Sequence, residues 1–279
     1  MFSTMILGGL LPFLSLVFLI VCLVVSAVGF RRVVYFISIG YGSSVGAMAT
    51  CAIVVAVLAE GSVSVTAGIL MLAYGLRLGV YLFRRERNDV YRNAVAKDRD
   101  RERPMAFGVK VAIWITVSLL YVVMFMPLTT RVARETAGVI DPAPWLSWIG
   151  IAIMAFGIVF EALADYQKAQ AKKKAPDRFC DGGLYAVVRC PNYFGELLVW
   201  TGNLIVGTSL LRDWLTWILA TVGYVSIFLI MKGSARRLEL KQGERYGRDP
   251  AYQAYIAKVP IIFPFIPIYS FRNAKVYLG

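Results

Sequence analysis

EALADYQKAQAKKKAPDRFCDGGLYAVVRCPNYFGELLVWTG, residues 161–202, holds the two signals that decide how this chain is built. It follows a run, 142–160, that carries no charge, then passes Lys168, Lys172, Lys173 and Lys174 before a turn at Gly182-Gly183. Pro191 then restarts a helix, where its fixed φ and missing N–H are harmless. Over 190–211 the chain is apolar again, with Glu196 as its single ionised group. A bilayer core of about 30 Å needs about 20 apolar residues in a helix. The stretch therefore reads as two membrane spans joined by a polar loop.

Outward from it the same pattern repeats. Residues 1–30, 33–59, 111–130 and 214–231 are free of charge, and 61–83 carries only Arg77. The expected fold is an all-α polytopic membrane protein of seven transmembrane helices, built as a single integral domain over 1–279. Composition agrees: 58% of the 279 residues are hydrophobic and 17% charged, against about 25% charged in soluble domains. The first run lacks a basic start and a small-residue cleavage site, so it reads as a retained helix rather than a signal peptide. Of 30 Lys and Arg, 26 fall at 31–32, 84–110, 165–192 and beyond 231, whereas the opposite loops hold Arg131, Arg134 and Arg212. The positive-inside rule then places the N-terminus outside and the C-terminus in the cytoplasm. The net charge of +13 is thus a topology signal, and no nucleic-acid-binding module is present.

The chain has no histidine. That excludes Ser-His-Asp and Cys-His catalysis, HExxH zinc hydrolysis, His-ligated haem and histidine-box di-iron sites. Cys22, Cys51, Cys180 and Cys190 form no CxxC pair, so neither a zinc ribbon nor a disulfide framework is indicated. No metal site is expected. Ser38, Gly42 and Gly46 form a small-residue ridge at four-residue spacing, suited to close helix contact. The 84–110 segment alternates in sign and reads as a solvated amphipathic helix along the inner surface.

Ionisable groups inside spans are costly and are by default candidates for function. Tyr74, Arg77 and Tyr81 share one helix face. So do Glu161 and Asp165, and again Asn192 and Glu196. Cations beside acceptors and a glycine turn can hold an anionic cofactor through charge-assisted hydrogen bonds. The plain alternative assigns the lysines to topology alone.

The block Asp165-x-Gln167-Lys168, Gly183-Leu184-Tyr185, then Arg189-Cys190-Pro191-Asn192-Tyr193-Phe194-Gly195-Glu196 and Trp200 resembles the signature of the steroid 5α-reductase superfamily, above all its bacterial members. Arg237-x-Glu239, Tyr246-Gly247, Tyr252, Tyr255 and Pro264 resemble the C-terminal block shared with membrane sterol reductases. The matched segments run in order over roughly 70–279. The resemblance implies a reductase of a bacterial inner membrane that draws NADPH from the cytoplasm and transfers hydride to an activated C=C bond of a lipophilic, steroid-like or other lipid substrate. Carried over position by position, Lys168, Lys172, Arg178, Tyr185, Asn192, Tyr193, Glu196, Arg237 and Tyr246 are candidate cofactor contacts, with Asp165 and Arg189 beside them. The segments 165–192 and 232–279 form the cofactor side.

Tyr74-x-x-Arg77 resembles the third-span motif, whose tyrosine faces the substrate carbonyl. Negative charge develops on that oxygen as hydride adds to an enone, and a phenol that stays protonated at pH 7 can meet it. Steroid-reducing relatives carry a Gln-Glu pair in the second span; here 33–59 holds no Gln, Glu or Asp, and Tyr35, Ser38 and Tyr41 are its sizeable hydrogen-bonding groups. Cys190 stands where relatives carry histidine. Two other readings stay open: an isoprenylcysteine-methyltransferase-like enzyme using S-adenosylmethionine, which shares the R-H-P-x-Y-x-G core, and a catalytically degenerate lipid-binding protein.

Overall fold

Helices make up all regular structure in the described residues, 2–87 and 105–278, of the computed structural model. In chain order they are α1 (Phe2–Ser26), α2 (Ile39–Leu58), α3 (Ser62–Arg87), α4 (Phe107–Thr136), α5 (Pro144–Lys174), α6 (Pro191–Thr208), α7 (Trp214–Tyr246) and the short α8 (Pro250–Lys258). Short 3₁₀ turns at Ala27–Phe30, Val33–Tyr35 and Gly183–Ala186 join them. Six helices, α1 to α5 and α7, are long and apolar enough to cross a membrane, the architecture of a polytopic membrane protein. The stretch expected as a further span, 190–211, forms the 18-residue α6, about 27 Å long at 1.5 Å per residue. The expected 84–110 surface helix falls largely on 88–104, outside the described residues.

Two helices outrun their apolar parts. α5 continues through EALADYQKAQAKKK to Lys174, and α7 through KGSARRLELKQGERY to Tyr246. These extensions are rich in Ala, Lys, Glu, Gln, Arg and Leu, the strong helix formers. Hydropathy falls at these points; the helix does not end there. Much of the expected cofactor side is therefore helix rather than loop.

The chain forms two compact units, Met1–Ile151 with Asn203–Gly223, and Ala152–Gly202 with Tyr224–Gly279. In the first, α2 and α3 touch backbone to backbone. A Cβ on Gly75 would lie 2.5 Å from Gly46 N and 2.7 Å from Gly42 O. The expected small-residue ridge is thus half of a glycine-to-glycine contact, with Gly75 as its partner on α3. Outward faces are apolar, as at Phe13, Leu16 and Val24 on α1, while Ser44, Ser64, Ser118, Thr129 and Thr130 are buried. That inversion suits a chain solvated by lipid, where small polar groups face other helices.

The same unit buries an arginine completely. Arg131 of α4 donates through Nε to Val206 O (2.6 Å), through one terminal nitrogen to Glu135 (2.5 Å), and through the other to Asp141, Ser147 and Ser209. Three residues on, Arg134 pairs with Asp213 at 3.0 Å, and Asp213 caps the start of α7 through Thr216 N (2.9 Å). Burial alone would raise the Asp141 carboxyl, but the Ala143 backbone N–H and Arg131 outweigh it and hold the carboxyl below its usual 3.8. Asp213 is lowered likewise: burial is opposed by the Thr216 backbone and side-chain bonds and by Arg134.

Two outcomes are expected. Gly75→Ala forces α2 and α3 apart and lowers the yield of folded, monodisperse protein in detergent, at a cost of about 1–3 kcal/mol. Gly79→Ala, whose Cβ would meet only Ser43 Oγ at 3.8 Å, leaves it unchanged. Because the two aspartates titrate lower when folded, their stabilisation is complete above about pH 4 and fades as pH falls through the folded values. Asp141→Asn should lower the unfolding midpoint at pH 7 by on the order of 5 °C and flatten the acid limb, read by thermal denaturation against pH.

Candidate functional site

The second unit is organised by the contact of α5 with α6. Gly195 lies so close to α5 that a Cβ there would sit 2.8 Å from Glu161 Cβ, and one on Gly157 would sit 2.7 Å from Gly195 O. The glycine of the FGE triplet is therefore a packing requirement. Beside it Glu161, Asp165 and Glu196 are all buried. Pro191 opens α6, and Arg189 N and Cys190 N just before it donate to Pro260 O and Ile261 O, both at 2.9 Å.

Gln167 shows what the Asp-x-Gln-Lys spacing builds. Its Oε1 accepts from Leu184 N at 2.8 Å, tying α5 to the glycine turn. Gly183 has φ +62, and a Cβ on it would collide with the Gln167 amide. Only glycine meets both conditions. Tyr185 follows the turn, buried, with its carbonyl accepting from Tyr255 Oη at 2.7 Å.

Around this turn lies a cleft of about 160 Å³. Lys168 and Lys172 line it from α5, Phe179, Cys180 and Tyr185 from the loop, Arg189 and Asn192 from the start of α6. Leu238, Lys241, Gln242, Arg245 and Tyr246 line it from α7, and Tyr255 from α8. Five of these residues are cations, and none among the described lining residues is a carboxylate. Lys172 Nζ donates to Arg178 O (2.5 Å) and Tyr246 Oη (3.0 Å). Arg189 pairs with Glu239 at 3.4 Å and Arg245 with Asp177 at 2.6 Å, both carboxylates standing outside the lining. Lys168 makes no ion pair among the described residues. Burial pushes the Cys180 thiol up, and burial also raises the Tyr255 phenol, the Cys190 thiol adding to it. Both groups stay neutral at pH 7, so the charge on the lining is that of its lysines and arginines.

Six of the eleven expected cofactor contacts line this cleft: Lys168, Lys172, Tyr185, Arg189, Asn192 and Tyr246. Arg178 pairs with Asp181 at the surface, and Arg237 bonds Ser234 and is exposed. Asp165, Tyr193 and Glu196 do not reach the lining. Lys241, Gln242 and Arg245 escaped the sequence reading. Their signal is a helical one, since 238, 241, 242, 245 and 246 share a face once α7 is continued past Met231.

Tyr74, in the first unit, is fully buried on α3, with its Oη 3.1 Å from Tyr41 Oη of α2. Tyr41 also packs its ring 5.2 Å from that of Tyr121, whose Oη donates to Phe36 O at 2.7 Å. The second span thus does meet Tyr74 with a hydrogen-bonding partner, a phenol rather than an acid–amide pair. Arg77, one turn along, is half-buried.

A family model described as "Protein of unknown function (DUF1295)" matches residues 24–259. A curated relative, the uncharacterised protein C594.04c of Schizosaccharomyces pombe, is 30% identical over 138 residues, covering 42% of this chain. The chain spans 38% of that relative's length. No solved structure matches.

A charged hydrogen bond contributes about 1.5–3 kcal/mol, or about tenfold in affinity or more. Lys168→Glu or Lys241→Glu should therefore weaken binding of inorganic pyrophosphate at least about tenfold by calorimetric titration. Arg237→Ala should leave it within about twofold.

Proposed function

The chain belongs to the DUF1295 family, and we propose that it is a membrane reductase that uses NADPH to reduce an activated C=C bond of a lipophilic substrate. The observation that carries the reading is the cleft, with five cations and no carboxylate among its described lining residues; Lys168, Tyr185, Arg189, Asn192, Tyr246 and Tyr255 of that lining also stand in the blocks that resemble the reductase signatures. A multiply charged dinucleotide phosphate suits that donor set. S-adenosylmethionine, a sulfonium cation, does not. At about 160 Å³ the cleft accommodates the phosphate-bearing part of such a cofactor.

In this reading α6 is a seventh crossing. The Lys and Arg asymmetry supports an N-terminus outside and a cleft on the cytoplasmic side, and the resemblance to bacterial reductases supports a bacterial inner membrane. Lys168, Lys172, Lys241 and Arg245 hold phosphate oxygens, while Asn192 and Tyr246 supply neutral hydrogen bonds. When bound, NADPH supplies the hydride. Tyr74 donates its phenolic proton toward the oxygen where negative charge develops, the usual task of a positioned electrophile. Tyr41 donates to Tyr74 Oη in that state, which strengthens Tyr74 as a donor and fixes its direction.

The test is NADPH oxidation against a panel of lipophilic enones, run beside NADPH binding. Tyr74→Phe should lower turnover by about 10²–10⁴-fold, the range for a positioned acid, while NADPH binding stays within about twofold. Tyr41→Phe should lower turnover less. Full turnover in the Tyr74→Phe protein would remove this tyrosine from the chemistry.

A further inference from the structure

The segment 260–278, after α8, returns along α7. Its last described residue, Leu278, donates from its backbone N–H to Leu229 O at 3.2 Å, and Arg236 Nε donates to Arg272 O at the same distance. Phe263 stacks on Phe228 with ring centroids 6.1 Å apart. Phe228 and Leu229 lie in the charge-free stretch 214–231, which ends at Lys232. Both ends of the segment are therefore pinned where α7 leaves its apolar part.

Two residues beyond Phe263 the chain makes a tight apolar turn, closed by Ile261 N to Ile268 O (2.9 Å) and Ile268 N to Ile266 O (2.7 Å). At its tip Phe265 has φ +64, a left-handed conformation that bulky residues avoid, and its side chain is 92% exposed. Ile266, Ile268 and Tyr269 beside it are exposed as well. A strained backbone that turns a phenyl ring outward gains nothing from water. The ring needs an apolar surrounding that the chain itself does not provide.

The charges about the turn say which surrounding. No Asp or Glu occurs after Asp249, while Lys258, Arg272 and Lys275 do. Lys232 lies over the Phe271 ring and Arg236 over the Tyr277 ring. Glu239, which accepts from Phe271 N, is buried. Apolar tip, basic flank and a fixed level at the end of a span are the features of an interfacial anchor on an anionic leaflet.

We propose that residues 260–278 form a membrane-interface anchor in which Phe265 enters the acyl–headgroup boundary and the surrounding lysines and arginines hold anionic lipid headgroups. The anchor is independent of the cleft and of the activity proposed for it. Full-length protein carrying Phe265→p-benzoylphenylalanine is placed in nanodiscs of phosphatidylcholine, alone or mixed with phosphatidylglycerol, illuminated, and weighed intact. Lipid adducts are expected, rising several-fold with the anionic lipid, and none from the same photoprobe at Asp177, which is 94% exposed. Absence of lipid adducts at 265, or a crosslink to a second copy instead, overturns the anchor. A yield indifferent to phosphatidylglycerol overturns its recognition of anionic headgroups.

Discussion

Backbone-to-backbone contact between helices, made possible by glycine, is the constraint on which the rest of this structure depends. Lipid tails are as apolar as leucine, so helices in a bilayer associate through close packing and hydrogen bonds rather than through exclusion of water. Gly42 and Gly46 against Gly75 bring α2 to α3, and Gly157 against Gly195 brings α5 to α6. Each contact sets a register. The first places Tyr41 Oη at Tyr74 Oη. The second sets the buried carboxylates Glu161 and Glu196 on facing helices, and Gln167, lower on α5, fastens the glycine turn through Leu184. A Cβ on Gly75, Gly157 or Gly195 would fall within 3 Å of the facing helix and displace the polar groups that these contacts position.

Around that frame, charge is sorted into two kinds of place. Arg131 and Arg134 are paired locally and buried, and they define structure where α4, α5 and α7 turn. The five cations of the cleft meet no carboxylate among the described lining residues, although Arg189 and Arg245 are paired from outside it by Glu239 and Asp177. Cations gathered around one cleft attract an anion, and a multiply charged one meets several of them at once. This is the physical argument for a phosphate-bearing ligand, and it stands apart from any family resemblance.

Much of the architecture is legible in the sequence, because charge-free runs of about 20 residues have few other uses. The polar continuations of α5 and α7 were hidden for the opposite reason: hydropathy ends at Phe160 and Met231, whereas helix propensity continues through Ala, Lys, Glu and Gln. Without those turns, the face bearing Lys241, Gln242 and Arg245 reads as a tail. Lys168, Lys172 and Asn192 were found because they lie within a short, strongly patterned block. Arg178 and Arg237 were equally plausible by charge, but loop and helix geometry turn them to the surface. The Tyr41–Tyr74 pair could not be read from either span alone, since it depends on how two helices slide past each other. By hydropathy Arg131 reads as a loop charge; its spacing of four from Glu135 is the sequence's sign of a local pair.

The central claim is that the cleft is built for a phosphate-bearing dinucleotide. Calorimetric titration of the purified protein in nanodiscs with NADPH and with S-adenosylmethionine, at two salt concentrations, tests it most directly. Saturable NADPH binding that weakens as salt rises, with no heat from S-adenosylmethionine, is the result expected. Binding of S-adenosylmethionine without NADPH would contradict the account.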